Sequence, residues 1–217
     1  MSSIKLKHSG GNSVSLNPPT SAPTSSEVAF KLPTSDGSAG QVLMTDGSGN
    51  LSWSTPTSAL TEVDQWLLTS DMSISGSATT VTSGWGRSNL STMGLNSYIG
   101  TGISESSGIF TFPSTGKYLI MASAAFKSSD PNNYVAFRPM ITTDNASYNY
   151  IGVNFASIFD NSSSQVYANA YSQALVDITN VSTHKVRFSA TGNSNVTVMS
   201  NGSTAYTSVI FMKLGET

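Results

Sequence analysis

The triplet Asp-Gly-Ser occurs twice in the stretch LPTSDGSAGQVLMTDGSGNLSW, at Asp36-Gly37-Ser38 and at Asp46-Gly47-Ser48, and acid–glycine spacing of this kind could hold a cation or cradle a phosphate. An EF-type calcium loop needs oxygen ligands at alternating positions and a closing Glu, and a phosphate loop needs Gly-Lys-Ser/Thr after its glycines. Neither follows here. Asp-Gly is also a strong turn signal, because glycine takes a positive φ at no steric cost. The two copies therefore read as turns around one short strand, Gly40 to Thr45, with Asn50-Leu51-Ser52-Trp53 starting the next.

Other chemistry-bearing residues are sparse. The chain has two histidines, His8 and His184, and no cysteine. A Ser-His-Asp constellation would have to be built on one of the two, and His184, beside Lys185 at a strand start, reads as a surface turn residue. Without cysteine there are no disulfides, thiolate metal sites or thiol nucleophiles. Glu62 and Asp64 stand near Trp66, and Asp130, Asp144 and Asp160 sit among Pro, Asn and Ser, so all five read as turn acids. A carboxylate pair of glycosidase type stays open, since such pairs form in space rather than in sequence. No catalytic residue, metal or cofactor is expected, and the chain reads as a binding protein rather than an enzyme. Candidate contact residues lie in loops that mix amides with aromatic rings: Asn132, Asn133 and Tyr134; Asn145 and Tyr148; and Asn161. That mixture suits saccharide or protein contact, and it equally suits ordinary hairpin loops.

The elements that must position these loops are strands. Helical periodicity is nearly absent, and alternating runs separated by Gly, Asn, Asp, Ser and Pro predict an antiparallel sandwich from about Ala59 onward. The expected strands include Lys117 to Phe126, Tyr134 to Thr142, Tyr148 to Phe155, Val166 to Asp177, Lys185 to Ala190, Val196 to Ser200 and Tyr206 to Leu214. Some are apolar on both faces. Tyr118, Ile120, Ala122, Ala124 and Phe126 line one side of their strand and Leu119, Met121 and Ala125 the other; Ile210, Met212 and Leu214 oppose Val209 and Phe211. A lone antiparallel sandwich keeps water on its outer faces, so two-sided apolarity predicts that one outer face meets another subunit or is covered by a loop.

Composition agrees with an ordered, weakly charged chain. Of 217 residues, 38% are hydrophobic, 9% aromatic and 10% charged, for a net charge of -2. That balance argues against disorder throughout, and its scattered Lys and Arg offer no stripe for a nucleic-acid backbone. No apolar run approaches the ~20 residues of a membrane helix, and MSSIKLKHSGG lacks the hydrophobic centre of a secretion signal. Residues 1–58 differ from the rest, with five of the eight prolines and few large apolar side chains. They form short alternating pieces carrying Ile4, Leu6, Val14, Leu16, Val28, Phe30 and Leu32. So small a segment buries little on its own, which predicts a tether or an extended arm that orders against other chains. In the neck, Val42, Met44 and Trp53 are expected to pack together around a threefold axis.

The run GIFTFPSTGKYLIMASAAF from Gly108 resembles the C1q/TNF-like jelly roll, whose Gly-x-Phe-x-x-Pro-x-x-Gly-x-Tyr pattern is met by Gly108, Phe110, Pro113, Gly116 and Tyr118. The terminal STAYTSVIFMKL resembles that family's returning last strand. The likeness spans about residues 61–217 and implies a homotrimer of sandwiches around a threefold axis. No collagen-like stalk precedes it, so complement-like or cytokine roles are not implied. The arm, through KLKHSGGNSVSLNPPTSAP, FKLP and the repeated turns, resembles modules in bacteriophage fibre and tail-fibre-like proteins, notably of marine cyanophages. Together the two resemblances imply a virion fibre: residues 1–58 attach to tail, neck or capsid proteins, and a jelly-roll head at 59–217 faces a host surface polysaccharide or protein. A capsid decoration without a receptor role and a virion polysaccharide-degrading enzyme are the alternatives.

Overall fold

The computed structural model describes residues 4–17, 19–25, 27–56, 60–74, 76, 78–87, 98–130, 132–159, 165–193, 195–201 and 204–217. No described residue is helical, and every strand pair is antiparallel, apart from one isolated parallel bridge between Lys31 and Asn50. The chain divides into two compact units, Met1–Thr57 and Ser58–Thr217.

The first unit holds two hairpins. β1 (Ile4–Lys7) pairs with β2 (Ser13–Leu16), and β3 (Val42–Thr45) pairs with β4 (Leu51–Ser54). The second Asp-Gly-Ser closes the β3–β4 turn. Asp46 Oδ1 accepts the amides of Ser48 at 2.8 Å and Asn50 at 3.1 Å, while Asn50 Nδ2 donates to Asp46 Oδ2 at 2.5 Å. These bonds, led by that of the Asn50 side chain, hold the Asp46 carboxyl below its ordinary pKa. The first triplet does something different. Gly37 lies under the Trp53 indole, where an added Cβ would sit 2.5 Å from the ring, and Trp53 Nε1 donates to Ser35 O at 2.9 Å. The carboxylate of the second turn is thus consumed by local structure, and the first turn seats an indole.

The second unit is a two-layer sandwich of fifteen strands. One sheet contains β5 (Val63–Leu68), β6 (Met72–Ile74), β8 (Trp85–Arg87), β9 (Tyr98–Ile99), β12 (Gly116–Ser128), β16 (Val166–Ile178), β18 (Val196–Val198) and β19 (Ser208–Gly215). Its centre runs β16-β12-β19-β5, with β18 continuing the β19 side of β12. The facing sheet contains β7 (Thr79–Thr80), β10 (Ser104–Ser106), β11 (Ile109–Thr111), β13 (Asn132–Thr142), β14 (Asn149–Tyr150), β15 (Phe155–Ile158) and β17 (Lys185–Thr191), in the order β10-β11-β17-β13 with β14 and β15 both on β13. The single strand expected over Tyr148 to Phe155 is therefore two. Pro139 explains the gap: it pairs with Phe188 on one side, and on the other its carbonyl accepts Ile151 N at 3.1 Å, but it has no amide to continue the ladder.

Phe110 sits at the centre of the sandwich, fully buried, with Trp66, Trp85, Phe188 and Phe211 around it at centroid distances of 5.3 to 5.7 Å. Such edge and tilted contacts add to the area each ring removes from water. The rest of the signature has the same local logic. Gly108, at φ +79, comes so close to the backbone of Val81 that a Cβ would lie 2.2 Å from its carbonyl oxygen. Tyr118 is fully buried and donates its hydroxyl to Ser114 O at 3.1 Å, with its ring against Phe112. Gly116 lies against the Lys213 stem, and Pro113 begins the turn between β11 and β12. The motif is a packing device, not a reactive one.

Candidate functional site

Sheet pleating decides what the head shows to its surroundings. In β12 the residues Tyr118, Ile120, Ala122, Ala124 and Phe126 are fully buried between the layers. Their alternates face away, and the register sets Leu119 between Leu175 on β16 and Met212 on β19, with Val63 next on β5. One row over stand Gln173, Met121, Ile210 and Gln65. Residues directly paired across strands share a face, so four strands present one apolar patch. Leu175 at its edge is 65% exposed, Gln173 beside it is exposed too, and the others are half-buried. Ion pairs rim it: Lys117 to Asp177 at 2.9 Å at one end and Lys127 to Asp71 at 2.7 Å at the other. Beside it, β16 pairs among the described residues with β12 alone, and Tyr167 and Tyr171 stand out from it.

The opposite sheet shows a different outer face. Arg138 on β13 and Arg187 on β17 point outward, with Tyr150 4.3 Å from the first guanidinium and Tyr148 4.0 Å from the second. Burial raises the pKa of Tyr148, and the positive charge of Arg187 opposes that shift. Asn145 and Tyr148 of the sequence prediction border this face. Asn145 takes a left-handed φ of 58° in a turn organised by Asp144, whose Oδ1 accepts the Thr142 hydroxyl at 2.7 Å and the amides of Ala146 and Ser147 at 2.9 Å. Those bonds hold the Asp144 carboxyl down at about 2. Tyr134 lies elsewhere on the sheet, packed edge-on against exposed Phe155 at 5.3 Å. Asn132 and Asn133 enter β13 beside it, and Asn161, like Asp160, lies outside the described residues. The two described loops therefore do not converge on one spot. Arg138 and Arg187 were missed by the sequence reading. Their signal was an arginine flanked by apolar residues in each of two strands, AFRPM and KVRFS.

Two acids read as turn residues are structural anchors instead. Asp64 is on a strand, 1% exposed, and accepts from Arg87 Nη2 at 2.8 Å, Arg87 Nε at 3.2 Å and the Ile103 amide at 2.6 Å. Its carboxylate holds Arg87 above the ordinary arginine pKa, with burial opposing. Glu62 takes the amides of Thr101 and Gly102, each at 3.0 Å. A chain segment after β9 needed carboxylates to satisfy its amides, and spacing along the sequence could not show that. The adjacent cleft of about 440 Å³, lined by Trp66, Arg87, Glu105, Phe112 and Pro113, has its charged groups engaged in this way, Glu105 accepting from Gly108 N at 2.6 Å. His184 lies between two threonine hydroxyls, 3.1 and 3.3 Å from its ring nitrogens, and His8 closes the β1–β2 turn. Among the described residues no three His, Asp or Glu come together as a metal site.

In the first unit, pairing of Ile4 with Leu16 and of Leu6 with Val14 gathers these positions on one hairpin face, and Ile4, Leu6 and Leu16 are exposed. Val28, Phe30 and Leu32 are exposed as well. In the neck hairpin Leu43 pairs with Trp53, whereas Val42 and Met44 pair with Ser54 and Ser52, so within one copy Trp53 is on the face opposite Val42 and Met44. Directly paired residues share a face and neighbours along a strand alternate, so any packing of the three together would have to join different faces of different copies.

No family model and no curated protein sequence matches the chain. Solved structures do. Murine APRIL at pH 5.0 superposes with a TM-score of 0.50 at 14% identity, over 70% of this chain and 98% of that one. Eiger TNF from S. frugiperda superposes with a TM-score of 0.54 at 10% identity, over 73% of this chain and 94% of that one. At such identities the likeness shows the fold, an all-β jelly roll of the C1q/TNF-like type.

Proposed function

We propose that the chain is a non-enzymatic, homotrimeric fibre protein of a virion, attached to tail, neck or capsid proteins through residues 1–58 and presenting the jelly-roll head to a host surface. The observation that carries the self-association is the uncovered row Leu175, Leu119, Met212 and Val63, rimmed by ion pairs. An apolar centre with a polar rim is how protein interfaces are built, and this face gives a neighbouring copy a surface to meet. The virion assignment draws on the likeness of the arm to phage fibre modules. The exposed Ile4, Leu6, Leu16, Val28, Phe30 and Leu32 support it, as alternating apolar positions on short strands suit attachment by strand addition. Sedimentation of the full chain tests the assembly: three times the chain mass of 22.7 kDa is expected, and a monodisperse monomer would sink the trimer. Deleting residues 1–58 tests the attachment, with loss from purified particles expected and unchanged incorporation refuting it.

A further inference from the structure

The chain has three arginines, Arg87, Arg138 and Arg187. Among the described residues only Arg87 meets a carboxylate. Arg138 pairs with Ser189 and Met140 with Arg187, so the two remaining arginines are diagonal neighbours on one sheet face, roughly 7–8 Å apart at Cα. Both are half-buried, and the Nε of each is buried without a hydrogen-bond partner. Arg138 Nη2 reaches the Thr191 hydroxyl, while the contact of Arg187 is the Tyr148 ring. Lys185, paired with Thr142, adds a third cation to the same face and donates Nζ to Val181 O at 2.7 Å. The acid that follows β13, Asp144, is committed to its own turn. Half-buried cations side by side cost free energy unless something compensates them, and none of the chain's 12 acids forms an ion pair with Arg138 or Arg187 among the described residues.

We propose that this face binds an anionic group, a carboxylate or sulfate carried on a saccharide polymer. The arginine forks take the oxygens, since guanidinium geometry matches a carboxylate or sulfate bidentately, and Tyr148 and Tyr150 offer ring surface to the sugar. A net charge of -2 and only three cations on the face argue against a nucleic-acid backbone, whose binding rests on many phosphate contacts. The assignment rests on reading the head as the part that meets a host surface, and it names the chemistry met there.

The test uses the full chain and two probes, an oligogalacturonate hexamer and its fully methyl-esterified counterpart, in calorimetry at low and moderate salt. Binding of the acidic hexamer alone, weakening with salt, is expected. R187Q and R138Q should each raise Kd about tenfold, the loss of one charge-assisted hydrogen bond. In the wild-type chain the arginine Nε–H resonances of Arg138 and Arg187 should shift with the acidic hexamer, a readout that needs no variant to fold. Equal binding of both probes, an unchanged Kd in R138Q and R187Q, or silent resonances at millimolar hexamer would overturn the site. Sedimentation of the same samples separates the two readings: a trimer that ignores the hexamer loses only this site, and a monomer that binds it loses only the fibre assembly.

Discussion

The two outer faces of the sandwich are built on the same pleat and carry opposite chemistry. Behind β12 and β19 the outward positions are Leu119, Met121, Ile210 and Met212, with charges confined to the rim. Behind β13 and β17 they include Arg138 and Arg187 under tyrosine rings, and Lys185. Strand propensity cannot account for the difference, because both sheets are equally well paired and share one aromatic core. It lies in what each face is left to meet. An apolar face lowers its free energy by leaving water against another protein surface, whereas a guanidinium without a counterion gains most from an anion that arrives with its own charge.

The largest effect should come from removing what both faces share. Phe110→Ala deletes the central ring and should cost about 3–5 kcal/mol in urea unfolding, lowering self-association and ligand binding together. Next, the double substitution Leu119→Glu with Met212→Glu should reduce the sedimenting mass to 22.7 kDa while the far-ultraviolet spectrum stays that of a β protein; an unchanged mass would move the interface elsewhere. Arg187→Gln should leave mass untouched and not lower the unfolding free energy, because it removes a half-buried cation that no acid compensates among the described residues, so a large loss would recast Arg187 as a fold residue. The smallest effect belongs to Asp144. Its folded pKa is depressed to about 2 from 3.8, so its contribution is complete above 3.8 and lost as pH falls toward 2. Asp144→Asn should flatten that part of the urea-midpoint profile.

Much of the fold was legible because period-two patterning carries it. The alternation in Tyr118 to Phe126 separated inside from outside correctly, and the spacing of Phe110, Gly116 and Tyr118 marked the tight entry to the longest strands. What escaped was everything decided by pairing. The hidden face of Trp53 depends on Leu43 standing opposite it, and the role of Asp64 depends on Arg87, 23 residues away. Arg138 and Arg187 are 49 positions apart and became neighbours only through the β13–β17 register. The broken strand at Pro139 was readable in principle, since a missing amide must interrupt one ladder. The asparagine-rich loops drew attention by composition, and composition does not say which way a loop leans.

One feature of β16 bears on how such a chain must be made. It offers thirteen consecutive strand residues, VYANAYSQALVDI, with no proline or lysine, and on the side away from β12 the chain covers it locally: Asn154 Nδ2 donates to Tyr171 O at 2.5 Å and Gly152 lies against Gln173 O. Natural edge strands are usually shortened, charged or bulged to keep strangers off. Here the guard is a loop laid along the edge, so a chain in which residues 151–155 have peeled away exposes a template for misjoining. Yield of soluble protein should therefore follow how firmly that segment is held.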